Sequence, residues 1–187
     1  SSSLLLLRIK TPLYMSAFAA VLRVVTRDLD DPRILAASPD NLDTVCAALH
    51  QMLDPLVGTP DAARGMVPLH CVASYNVAAM LLTLFRAFVR TAPSVSTLVA
   101  QCDVFPTVFV PVLRTYKAFP RLAQTILTIV ADVLNADTSS GFAAIKNTGF
   151  LDAFAALFAI RDIASNAHTA KALLQVLQGL GLRAEGL

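Results

Sequence analysis

Tryptophan is absent from this sequence, glutamate occurs once, and only 15% of the 187 residues are charged. The single Glu is Glu185, so the acidic side chains are otherwise Asp, a poor helix former but a good helix cap. So little charge, beside 56% hydrophobic residues and a mean hydropathy of +0.63, excludes a disordered segment and a charged coiled coil. Seven Gly and ten Pro exclude a collagen-like chain. The three cysteines, Cys46, Cys71 and Cys102, are odd in number, widely spaced and set in apolar surroundings, with no CxxC. That pattern points to buried thiols in a reducing compartment rather than a disulfide or zinc framework.

What remains is a helix-rich interior or a membrane protein. The longest stretch without Lys, Arg, Asp or Glu covers residues 65–85, long enough for a bilayer at about 20 residues per span. It holds Pro68, His70, Ser74 and Asn76, and the other apolar segments are broken by charges at short intervals, so a membrane-embedded subunit is the alternative reading. Four leucines follow Ser1 to Ser3 without a basic leader or a signal-length apolar run, and with no initiator Met the chain reads as a piece of a longer protein. The net charge of +2 has no dense basic cluster, so nucleic-acid binding is not expected.

Apolar residues recur at three and four positions, as in Leu42, Val45, Cys46, Leu49, Met52, Leu53 and Leu56, which predicts helices throughout. Thr11-Pro12, Asp31-Pro32, Ser38-Pro39 and Pro120 mark helix starts, Gly58 a helix end, and Gly149 the break between two short helices. No alternating run competes for strand. The expected class is all-α.

Sliding the chain along itself reveals a period. At an offset of 45, Phe105 falls on Phe150, Phe109 on Phe154, and residues 77–85 on 122–130; at 47 the second series continues to Ala170, Leu173, Leu174, Val176 and Leu177. Earlier the offset is 63, placing Arg23 and Arg27 on Arg86 and Arg90, with the excess assigned to an insertion at about 54–68 where Gly58, Pro60, Gly65 and Pro68 read as a loop. A period of about 40 to 47, with one short and two longer helices per unit, resembles the armadillo/HEAT arrangement. The expectation is a single right-handed helical-repeat solenoid domain over 1–187: a leading helix at 12–27, then units at about 32–91, 94–136 and 139–183. Stacked units cover one another's apolar faces, which accounts for the scarcity of charge; apolar ends at Leu4 to Leu7 and around Leu180 to Leu187 imply that the array continues.

The polar stripe of each unit's last helix is the candidate partner-binding surface: Asn76, Thr83, Arg86 and Arg90; then Arg121, Gln124, Thr128, Asp132 and Asn135; then His168, Lys171, Gln175 and Gln178. These form a ladder if successive last helices are neighbours. Catalytic signatures are missing: His50, His70 and His168 have no metal-ligand spacing, and no Walker A or GxSxG motif occurs. Adjacent His70 and Cys71 would point about 100° apart on a helix, which argues against a nucleophilic pair. Gly179, Gly181 and Ala184 match a GxGxxA fingerprint but follow a helix rather than a strand, and read as a helix-ending glycine pair. No cofactor or metal is expected.

Residues 135–187 carry a further likeness. Asn135, Asp137, Thr138, Phe142, Gly149, Phe150, Ala153 and Phe154, followed by Leu173, Leu177, Gly179, Leu180, Gly186 and Leu187, resemble the N-terminal armadillo-like region of giant HECT-type ubiquitin ligases. That family has Pro at the position of Thr138, a helix Pro near Val176, and Asn at Arg183. The resemblance implies a solenoid segment that presents substrate proteins, in the cytoplasm and also the nucleus, with the thioester-forming Cys in a separate C-terminal domain. It carries no catalytic residue onto this chain. The expected partners are protein segments and flanking repeats, and an armadillo-type adaptor unrelated to ubiquitin transfer is a second alternative.

Overall fold

The computed structural model describes residues 39–57, 59–67, 71–91, 99, 103–136 and 138–181. The leading helix at 12–27, the first two Pro-marked starts, the apolar end at Leu4 to Leu7 and the part of the other beyond Gly181, and Gly58, Pro68, His70 and Cys102 fall outside these residues. Among the described residues there are helices and no strand, so the class is all-α.

Helix α1 (Pro39–Val57) starts at the expected proline and buries Val45, Leu49, Met52, Leu53 and Leu56 along one side. It runs through Leu53 and Leu56, the last members of the predicted apolar stripe, and both are sealed in the core. Part of the segment read as an insertion is helical. Thr59 accepts a hydrogen bond from the Ala62 N–H at 3.1 Å and caps a helical turn, α2 (Pro60–Ala63).

Helix α3 (Val72–Thr91) is followed by a π-helical turn, Phe105–Phe109, that passes directly into α4 (Val110–Arg114). Sequence periodicity does not show this widening. Its cause lies in Pro111, which has no N–H to donate and whose ring would crowd the carbonyl four residues earlier; the looser turn, closed by Val110 N–H to the Phe105 carbonyl, relieves that crowding. Helix α5 (Pro120–Ala136) begins at Pro120 as expected. Then come α6 (Thr138–Lys146), a left-handed Gly149 at φ 75°, α7 (Phe150–Leu157), a 3-10 turn (Ile163–Ser165) and α8 (Ala167–Gly179). Asn166 caps α8 by accepting from the backbone N–H groups of His168 and Thr169. The glycine pair does end a helix: Gly179 is its last residue and Gly181 sits at φ 73°.

The helices form two layers. In one, α3 lies beside α5 and α5 beside α8; in the other, α1 meets the π turn, and the π turn and α4 meet α7, while α6 packs on α5 and α7. Contacts between neighbouring elements within each layer recur at a near-constant sequence separation. Gln124 bonds Thr169, and Gly179 abuts Leu134, each pair 45 residues apart, so α5 and α8 run parallel and in register. Tyr75 with Phe119 and Arg86 with Asp132, 44 and 46 apart, show the same for α3 and α5. In the second layer Phe105 packs edge-on to Phe150 at 6.0 Å between ring centroids, again 45 apart. A continuous aromatic file, Phe85, Phe109, Phe105, Phe150 and Phe154, threads the core and ends on the exposed Phe158.

No helix among the described residues is long and apolar enough to cross a membrane. The charge-free stretch at 65–85 is divided: it opens in a turn at Gly65, and α3 takes over only from Val72, with Asn76 exposed.

Candidate interaction groove

Parallel packing of α3, α5 and α8 sets their polar stripes side by side. Along α5 the core takes Leu122, Ala123, Ile126, Leu127, Val130, Val133 and Leu134, which leaves Arg121, Gln124, Thr128, Asp132 and Asn135 on the opposite side. An open groove of about 280 Å³ follows this side between α5 and α8. Gln124, Thr125 and Thr128 line it from α5, His168, Lys171, Ala172 and Gln175 from α8, and Arg86 reaches in from α3.

Half of the expected ladder therefore converges. Arg86, Gln124, Thr128, His168, Lys171 and Gln175 share the groove, whereas Asn76, Thr83, Arg90, Arg121, Asn135 and Gln178 are exposed but do not line it. Asp132 stands at its edge, accepting from Arg86 Nε at 3.3 Å. Both partners are partly exposed, so this ion pair contributes less than about 1 kcal/mol and serves mainly to orient the guanidinium. The Thr83 and Thr128 hydroxyls donate to the carbonyls of Ala79 and Gln124 one turn back, which restrains their rotation.

Thr169 escapes sequence reasoning. It is fully buried, and its Oγ1 accepts from Gln124 Nε2 at 2.7 Å and lies 2.9 Å from the Tyr116 hydroxyl. This junction ties the groove wall on α5 to α8 and to the turn after α4. The one available signal was that Thr169 lies 45 residues beyond Gln124, the repeat offset itself. Thr169→Val keeps the shape but removes the hydroxyl, leaving the half-buried Gln124 amide and Tyr116 hydroxyl each short of a partner; a loss of about 1 to 2 kcal/mol is expected in urea denaturation. An unchanged midpoint would deny the junction its role.

The lining groups are amides, hydroxyls, an imidazole and two cations, with no carboxylate among them. Such groups suit reversible binding through hydrogen bonds and charge. Among the described residues no three His, Cys, Asp or Glu side chains cluster as metal ligands. Cys71 is buried and Cys46 half-buried. No protein-family model matches this chain, and no curated protein or solved structure matches it either.

Proposed function

We propose that this chain is a protein-interaction scaffold: a segment of an armadillo/HEAT-like solenoid that holds partner segments along the row formed by α3, α5 and α8. The observation that carries the reading is the polar groove spanning these parallel helices, with bonded pairs at the repeat separation: Arg86 with Asp132 and Gln124 with Thr169. The constant 44-to-46-residue spacing of contacts between neighbouring elements within each layer supports stacked repeat units. Within that reading, the likeness of residues 135–187 to giant HECT-type ubiquitin ligases makes the chain a substrate-recruiting segment, acting in the cytoplasm and nucleus, with catalysis supplied by a separate domain.

Charge reversal at Arg86 and Arg90 tests the scaffold reading. In proximity labelling by the full protein, the double Arg→Glu variant is expected to lose a defined subset of its neighbours while its circular dichroism stays unchanged. An identical set of neighbours would sink the proposal. A HECT domain in the same reading frame would support the ligase assignment, and a different C-terminal partner domain would leave an adaptor.

A further inference from the structure

We propose that the groove between α5 and α8 selects an extended acidic peptide. The inference rests on the scaffold reading and names the class of partner. Its first support is the sign of the charge: Arg86 and Lys171 face the groove from opposite sides, and among the described residues no carboxylate lines it. Asp132, at its edge, is already engaged by Arg86 Nε. A carboxylate entering the groove therefore meets two cations and, among the described residues, no lining anion, whereas a basic segment would bring like charges together.

The second support is the set of neutral groups between the cations. Gln124 and Gln175 each combine an amide N–H2 with a carbonyl, the two complements of a peptide backbone unit. Gln124 is held in place, since its Nε2 is anchored on the buried Thr169. An anchored amide on α5 and a second on α8, with cations from α3 and α8, match a peptide whose backbone is held centrally while its acidic side chains splay outward. The dimensions agree. Three helices spaced about 8 to 10 Å apart span about 16 to 20 Å, which five or six extended residues cover at about 3.3 Å each. A nucleic-acid strand fits less well, because two cations offer few phosphate contacts and, among the described residues, no aromatic side chain lines the groove for base stacking.

Fluorescence anisotropy tests this with three labelled probes on the intact protein: a Glu/Gly decapeptide, a Lys/Gly decapeptide and a single-stranded oligonucleotide. The Glu/Gly probe is expected to bind and the Lys/Gly probe not, with affinity falling as salt rises from about 0.1 to 1 M and the Debye length shrinks from about 10 to 3 Å. Lys171→Gln should weaken the acidic probe about threefold, and Arg86→Gln with Lys171→Gln about tenfold or more. Asp132→Asn removes the competing acid while keeping an acceptor for Arg86, and should strengthen binding severalfold, a gain that general disruption would not produce. Arg161→Glu, an exposed cation away from the groove, is the control and should change nothing.

Absence of acidic-probe binding overturns the inference, as does equal weakening by Arg161→Glu. If the oligonucleotide binds as tightly and is lost with the same variants, the groove is a phosphate site and the peptide assignment falls. Should the acidic probe fail while reversal at Arg86 and Arg90 still removes neighbours in the full protein, only the acidic class is lost and the scaffold reading stands.

Discussion

Phe105→Ala is expected to destabilise the protein by about 3 to 5 kcal/mol, a large part of the 5 to 15 kcal/mol typical of a domain. The ring is 1% exposed and packs edge-on against Phe109 at 5.1 Å and Phe150 at 6.0 Å, so truncation opens a cavity where the π turn meets α7. Neighbouring rings cannot collapse into the space, because Phe109 is also held by Phe85 and Phe150 by Phe154. The backbone role of Phe105, whose carbonyl closes the π turn, survives in alanine, which isolates the side chain as the cause. Urea denaturation provides the measurement. A midpoint shift worth less than about 1 kcal/mol would mean that the aromatic file does not hold α7 to the π turn.

The second large effect belongs to Gly179. A β-carbon built there would stand 2.8 Å from Leu134 Cβ and 3.1 Å from its Cδ1, closer than real side chains pack. Gly179→Val must push α8 away from α5, and a loss of about 3 kcal/mol is expected, at the upper end of overpacking costs. Alanine at the same site regains about 1 kcal/mol of helix propensity and should be milder. Because the two helices also share the Gln124 to Thr169 bond, valine should slacken the groove as well. The neighbouring exposed Gln178→Ala should stay within about 0.5 kcal/mol of the parent. If valine melts with the parent, α5 and α8 are not in the close contact described.

Much of the local architecture is legible along the chain. Pro39 and Pro120 start helices where expected, Gly149 breaks one, and the Gly179 and Gly181 pair ends one, because each acts through backbone geometry that neighbouring residues alone determine. The 45-residue offset also anticipates real neighbours, since Phe105 touches Phe150 as the overlay pairs them. The apolar stripe through Leu53 and Leu56 is legible too, because helical spacing alone puts both on the buried side of α1. The π turn is hidden, because the crowding at Pro111 has more than one possible relief and packing selects it.

The candidate site divides along the same line. Helical period alone puts Arg86, Gln124, Thr128, Asp132, Lys171 and Gln175 on polar stripes, since angle around a helix depends only on residue number. Which of those side chains meet is decided by the separation and height of adjacent helices, and these depend on contacts such as Leu134 against Gly179. Tertiary packing alone therefore brings Arg86 across to Asp132 and the groove, leaves Arg121 and Gln178 outside it, and buries Thr169 beneath Gln124. What the sequence by itself determined was an all-α chain with a repeat period and a polar stripe on each last helix. Only the fold decided where those stripes close into a site, because distances between helices are set by side chains far apart in the chain.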